Sequence, residues 1–338
     1  MIKHYRTYLL MALLTLGFAD TFAQQGQQRK LTKVIFDTDA NNELDDQHAL
    51  AYLLFSSDVF DLKGVTVNAT HGGGVLEKHY EEAKRILQFA KAEVVVPLLR
   101  GADQSYSVIL PNLADKMHDG HAAVDFIIKT AKANKGDKLV IVAVGKLTNV
   151  ALALKKDAQL SKKIKVVWLG SNYPDPGEYN LNADTVAMNV VLKSDVAFEM
   201  VTVRYKKETG SDAVRVLKTE IEQRMPGKGP HLTTAIPGRR KDGGSFTNFG
   251  DYSLQLFKYI SYKTNPPSRA LFDLVTLSIL KQPAWGEKQV INAPLFVNNT
   301  WVQQPQAVRE VVLWENFKAK EIINDFFTVM ENYKIKQK

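Results

Sequence analysis

Five acidic side chains fall within ten residues of the chain: Asp37, Asp39, Glu43, Asp45 and Asp46. Carboxylates brought together repel one another, which costs free energy unless a cation sits between them. Cysteine is absent from the sequence, which excludes a disulfide framework, a thiolate metal site and a Cys nucleophile. Oxygen donors without sulfur select a hard ion, Ca2+ or Mg2+. An EF-hand does not explain the run, because no Gly follows the acidic positions and no Glu closes a twelve-residue loop. Helix capping by Asp45 would account for one carboxylate, not four.

The elements that must position this cluster can be read from periodicity. Residues 33–36 form a short apolar run that ends in the acidic segment. Residues 46–55 then carry apolar side chains at helical spacing (Ala49, Leu50, Leu53, Leu54). Strands are expected at 62–67, 94–96, 138–144 and 164–169, and helices at 77–92, 122–133 and 150–156. Near-continuous apolar strands alternating with helices predict an α/β fold, with an open, mostly parallel, Rossmann-like sheet covered by helices on both faces. In such sheets ligands bind at the C-terminal ends of the strands, where the acidic cluster falls. There is no internal repeat and no linker, so 31–338 reads as one catalytic domain. The stretch 226–251 is rich in Gly, Pro and polar residues and is expected to be a long loop, either a lid or an insertion. Residues 334–338 are expected to be a frayed, solvated tail.

The chain has 338 residues, with 45% hydrophobic and 24% charged, an ordinary globular mixture. Its net charge of +8 is spread along the sequence rather than gathered in a block. That favours a solubilising surface over nucleic-acid binding. Residues 1–23 carry Lys3 and Arg6, then the apolar stretch from Leu9 to Phe18, then Ala23. This is the pattern of a secretory signal peptide, followed by a short leader at 24–30. The apolar run is shorter than the roughly 20 residues a bilayer span requires. The expectation is secretion across the inner membrane to the periplasm, with no membrane association after signal removal.

Several segments, in order, resemble those of the inosine/uridine-preferring nucleoside hydrolases. They are Asp37-Thr38-Asp39 with Asp45-Asp46 at a helix start; Gly64 to His71; Val144-Gly145-Lys146-Leu147-Thr148-Asn149; Trp168-Leu169-Gly170-Ser171-Asn172; Glu178-Tyr179-Asn180 with Asp184; and Ala270-Leu271-Phe272-Asp273. The resemblance implies the nucleoside hydrolase fold and a calcium-dependent hydrolysis of the N-glycosidic bond of ribonucleosides. By similarity Asp39, Asp46, Asp273 and the backbone carbonyl of Thr148 would hold Ca2+, with Asp39 also the general base for water. Asp45, Asn172, Glu178 and Asn180 match positions that bind the ribose, and His71 falls where many members have an Asn that does so. Asp37 would support the acidic loop. The partner is a small-molecule nucleoside, and relatives imply a homodimer or homotetramer.

The sequence also departs from the family pattern. Ala40-Asn41 stands where a Pro-Gly turn is usual, with about two extra residues. Phe272 stands where many members have a His thought to protonate the leaving base, and Phe cannot carry a proton. The leaving-group contacts are therefore expected from Phe272 itself, stacking on the base, or from His118, His121 or His231. Two alternatives stay open: a non-catalytic periplasmic nucleoside- or sugar-binding protein, and a hydrolase of another ribosyl compound. A phosphatase of the haloacid dehalogenase type shares the Asp-x-Asp start but expects Thr or Val where Asn41 stands. Gly72-Gly73-Gly74 lacks the Lys-Ser/Thr of a phosphate cradle.

Overall fold

The computed structural model describes residues 30–305 and 309–335, so the expected signal peptide lies outside the described residues. The chain divides after Leu31, and the unit from Thr32 onwards is built on a central sheet. In chain order the strands are β1 (Thr32–Thr38), β2 (Phe60–Val67), β3 (Leu98–Arg100), β4 (Leu139–Ala143), β5 (Ile164–Leu169), β6 (Ala197–Val201), β7 (Arg215–Leu217), β8 (Ile236–Pro237), β9 (Ser245–Phe246), β10 (Ser268–Ala270), β11 (Glu287–Asn292), β12 (Leu295–Val297), β13 (Thr300–Val302) and β14 (Glu310–Glu315). Eight of them form one sheet in the order β11-β14-β6-β5-β4-β1-β2-β3. All its pairings are parallel except β11 with β14. The three remaining pairs, β7–β10, β8–β9 and β12–β13, are separate two-stranded ladders.

The apolar runs form central strands because both faces of the sheet are covered. Val34 and Phe36 pack into one core and Ile35 into the other, as the two-residue period of a strand demands. The first core is closed by the helices Asp45–Leu54, Leu76–Phe89, Phe249–Lys258, Leu274–Lys281 and Ala319–Glu331. The second is closed by His121–Ala133, Thr148–Lys156 and Thr185–Lys193. Each large apolar side chain buried there contributes about 1.5–3 kcal/mol. This burial offsets the cost of holding carboxylates out of water at the strand ends.

The chain runs outward from β1 through β2 to β3, then returns to lay β4 on the other side of β1. This reversal opens a crevice at the C-terminal ends of β1 and β4. The helix after β1 begins at Asp45 itself, with Leu44 in the cap position and no side-chain cap. Asp45 and Asp46 thus occupy the first turn, where unpaired N–H groups and the helix dipole favour negative charge.

Three expectations are corrected. Residues 94–96 are turn, not strand: Val94 is 76% exposed and the edge strand starts after Pro97. Pro has no N–H to give a ladder and is tolerated at the start of an edge strand. The stretch 226–251 is not one irregular loop. It contains the β8–β9 ladder and ends in the helix Phe249–Lys258, capped by Asn248, whose side chain accepts from Asp251 N–H at 2.9 Å. Lys334 is not frayed, since it bridges Ser56 and its N–H donates to the Phe55 carbonyl at 2.7 Å. No helix among the described residues is long and apolar enough to cross a membrane.

Candidate active site

A cavity of about 590 Å³ opens at the strand-end crevice. Its floor is acidic. β1 carries Asp37 inward and ends at Thr38, just before Asp39, which lines the cavity. Oxygens of Asp45, Asp46 and Asp273 converge within 4.8 Å of one another, all three residues buried. Asp273 joins them from the far end of the chain, on the segment that enters the helix Leu274–Lys281. Backbone N–H groups of Phe272 and Asp273 hydrogen-bond the Asp45 carboxylate, tying the late segment to the early one. Asp39 stands beside this trio. One of its oxygens accepts from the Thr70 hydroxyl, and the Asn42 side chain also hydrogen-bonds it. Thr38 Oγ1 donates to Asp46 Oδ1 at 2.5 Å.

Burial raises every carboxyl of this floor. Asp39 is pushed up to about 6, partly held down by Thr70 and by the charge of Lys146. Asp45 is pushed up to about 7 by burial and by Asp39. Asp46 and Asp273 are raised by burial and by the other carboxylates around them. Four desolvated carboxyls facing one another are a poor arrangement for a protein alone and a good one for a hard cation. The donor set therefore fits the divalent ion that the sequence suggested. Gly145 permits the close approach of β4, because a Cβ there would lie 3.0 Å from Asp39 Oδ1.

Asp37 is part of the frame rather than the cavity wall. It accepts from Thr66 Oγ1 at 2.6 Å and from Asn68 Nδ2 and Asn149 Nδ2 at 2.7 Å each. Glu178 lines the cavity and caps the helix Tyr179–Ala183, accepting from the N–H groups of Ser171, Asn180 and Leu181. Asn180 also lines it, with Nδ2 donating to the strand-end carbonyls of Val144 and Leu169 at 2.9 and 3.0 Å. Phe272 faces the cavity and meets Tyr205 edge-on, ring centroids 6.0 Å apart.

Other expected residues lie elsewhere. Asn172 holds a turn, donating to the Gly177 carbonyl and accepting from Tyr205 N–H at 3.3 Å, and is not part of the cavity wall. The His71 ring lies at a tilt of 42° against Tyr179, centroids 4.2 Å apart, and its neighbour Thr70 takes the place beside Asp39. The Thr148 hydroxyl donates to Asp184 at 2.6 Å at the start of its helix and Thr148 does not line the cavity, whereas Val144, just after β4, does. Asp45 belongs with the converging carboxylates as much as Asp46 does.

None of the three proton-donor candidates lines the cavity. His118 bonds the Asp119 carbonyl at 2.8 Å and lies 3.4 Å from Lys156 Nζ. Lys156 ends the helix that Thr148 begins, about 12 Å away along its axis. His121 bonds the His118 carbonyl at 2.9 Å, and exposed His231 bonds Gly227 O at 3.1 Å. Residues not foreseen are Thr70, Asn42, Val144, Tyr179 and Tyr205. Thr70 was within reach, since it lies in the polar end of the second strand segment. Tyr205 follows β6 in a segment without periodicity.

A sequence profile described as inosine-uridine preferring nucleoside hydrolase matches residues 34–318. An uncharacterized protein of Schizosaccharomyces pombe is 29% identical over 211 residues, covering 56% of this chain and 66% of that protein. The pyrimidine-specific ribonucleoside hydrolase RihB of Escherichia coli O17:K52:H18 is 30% identical over 201 residues, covering 52% of this chain and 61% of its own. The match thus spans slightly less than two thirds of the length of either relative. Among solved structures, a plant nucleoside hydrolase, PpNRh1, superposes with a TM-score of 0.69 at 17% identity, covering 89% of this chain and 99% of that one. A purine-preferring ribonucleoside hydrolase from Gardnerella vaginalis superposes at 0.65 and 20% identity, covering 88% and 98%. At these identities the superpositions speak for the fold.

Proposed function

Because the chain belongs to the inosine-uridine preferring nucleoside hydrolase family, we propose that it hydrolyses the N-glycosidic bond of ribonucleosides to ribose and free base. The observation that carries this reading is the convergence of Asp45, Asp46 and Asp273 in one buried cavity, with Asp39 beside them. These four side chains would hold Ca2+, with the Val144 backbone at the cavity wall a further oxygen source. When bound, such an ion orients a vicinal diol and acidifies water.

The chain's own residues do the rest. Asp39 takes the proton of the attacking water, and Thr70 aims its carboxylate. Breaking the bond builds positive charge on the ribose ring, which the acidic floor stabilises from fixed positions. Glu178 and Asn180 present polar atoms suited to hydroxyls, which both donate and accept. Tyr205 and Phe272 supply flat apolar walls for a planar base.

The test is a nucleoside panel incubated with the purified mature chain, scoring base and ribose by chromatography. Equimolar release, abolished by EGTA and restored by Ca2+, is expected. Tight nucleoside binding without release would instead favour a binding protein, a second reading that the replacement of a histidine by Phe272 supports. We further propose export to the periplasm on the strength of the 1–23 pattern; cell fractionation of a tagged full chain tests it.

A further inference from the structure

The outer part of the cavity differs in charge from its floor. Lys206, Lys207, Arg215, Lys263 and Arg269 all line it. Three of them are committed: Lys207 to Asp175, Arg215 to Asp212 and Arg269 to Glu43. Lys206 and Lys263 have no carboxylate partner among the described residues, and Glu208 is the one lining carboxylate of the rim in the same condition. The rim therefore keeps an excess of positive charge over a floor of four carboxyls.

Lys206 is placed there at a conformational cost. Arg204 and Lys206 have φ of 48° and 61°, left-handed backbone that costs on the order of 1 kcal/mol or more for a residue with a Cβ. The turn is clamped from several sides. Lys206 N–H donates to Asp212 Oδ2 at 2.6 Å and Lys207 N–H to the Arg204 carbonyl at 3.0 Å. The Arg204 guanidinium donates to the Tyr173 carbonyl at 2.8 Å and pairs with Glu315 at 2.5 Å. The result sets Tyr205 and Lys206 in the cavity wall, with Tyr205 edge-on to Phe272. No histidine among the described residues lines that wall.

We propose that the cavity selects N-ribosides whose base departs as an anion, with Lys206 and Lys263 stabilising that anion in place of a proton donor. The inference rests on the hydrolase reading. In the step, a C1′–O bond forms to water, whose proton passes to Asp39. The C1′–N bond breaks with its electron pair going to the base nitrogen. The base leaves carrying one negative charge, faces the two ammonium groups, and takes its proton from solvent after release. Both lysines are exposed at the rim, so their attraction for developing negative charge is partly screened by solvent and the expected effect is modest. The favoured substrates are ribosides of bases with an acidic ring N–H, such as the oxopurines, above those of weakly acidic bases such as adenine.

The experiment compares the mature chain with Lys206→Met, Lys263→Met, the double variant and the Arg rescue at both positions, all with Ca2+ present. Substrates are p-nitrophenyl riboside, inosine, guanosine and adenosine, all neutral before cleavage. The double variant should lose roughly 3- to 30-fold in kcat/KM, more as the leaving group worsens, and the Arg variants should retain most of it. Independently of turnover, calorimetric binding of xanthine with ribose present, at pH values on either side of its ionisation, should show a preference for the anion that the double variant lacks. A uniform loss or no loss, together with no preference for anionic xanthine, overturns the proposal. So does a Tyr205→Phe variant that alone reproduces the leaving-group dependence, which would make Tyr205 the proton donor. If the unaltered chain releases no base from any riboside, the hydrolase reading fails, and the xanthine titration still decides whether the rim selects anions.

Discussion

The hydroxyl of Thr70 donates to a carboxylate oxygen of Asp39, 31 residues earlier in the chain. Tyr179 Oη lies 3.1 Å from the same hydroxyl and accepts from Gly72 N–H at 2.7 Å, so the loop that carries Thr70 is pinned from the opposite wall. A hydrogen bond to the charged form lowers a carboxyl pKa, and this one opposes the rise caused by burial. Thr70→Val should therefore raise the pKa of Asp39 and move the acidic limb of the kcat/KM profile to higher pH. A pH–rate profile of variant and parent reads this directly, and superimposable limbs would remove Thr70 from the role.

Asp39→Asn keeps the size and an acceptor oxygen but cannot take a proton. Turnover of nucleosides should fall by about 10²–10⁴-fold, the usual contribution of a positioned base. Ribose affinity, measured by calorimetry at saturating Ca2+, should change far less. Loss of both in parallel would indicate that Asp39 serves binding alone.

The cation-free protein should lose stability as pH rises. Asp39 and Asp45 have folded-state values near 6 and 7, above the unfolded value of 3.8. A raised folded pKa gives stability that is full below the unfolded value and lost as pH climbs through the folded one. After EGTA treatment Tm should thus be lower at pH 8 than at pH 5 on account of these groups. Added Ca2+ should raise Tm more at pH 8, where it meets ionised ligands. Thermal scans at both pH values, with and without Ca2+, check the sign. An equal Ca2+ effect at the two would argue against the trio as its ligands.

Asn149 joins three segments from one side chain. Its Nδ2 donates to Asp37 at 2.7 Å and its Oδ1 accepts from Ala102 N–H at 2.8 Å. Asn149→Ala leaves a buried carboxylate and a buried N–H each short of a partner, a loss of about 2–4 kcal/mol. Chemical denaturation should show this as a lower midpoint with little change in m. Residual enzyme that stays folded should keep its KM, because Asn149 does not line the cavity.

Much of the fold is legible in the chain because burial on two faces leaves a mark in composition. A strand such as 139–143 must be apolar throughout, and its helices must carry apolar residues at their own period, so both can be read locally. The exception is instructive. Val94 to Val96 has the composition of a strand but forms a turn, with Val94 and Val95 exposed and only Val96 buried, because the sheet edge is set by where Pro97 lets pairing begin. Composition reports a propensity, and pairing needs a neighbour at the right place.

The acidic run at the end of β1 and the absence of cysteine are properties of the sequence alone and point to oxygen donors at a strand end, and the family resemblance adds the late Asp273. Which residues face that site was decided by tertiary structure. Beyond the end of β2, Thr70 bonds Asp39 while the next residue, His71, lays its ring at a tilt against Tyr179. Asn172 was drawn into a turn, Val144 rather than Thr148 came to the cavity wall, and His118, His121 and His231 settled on other backbone carbonyls. Tyr205, Lys206 and Lys263 reached the cavity through segments with no period to read. A side chain's type is written in the sequence, but its direction at a strand end or in a turn depends on backbone angles that only the packing of distant segments fixes.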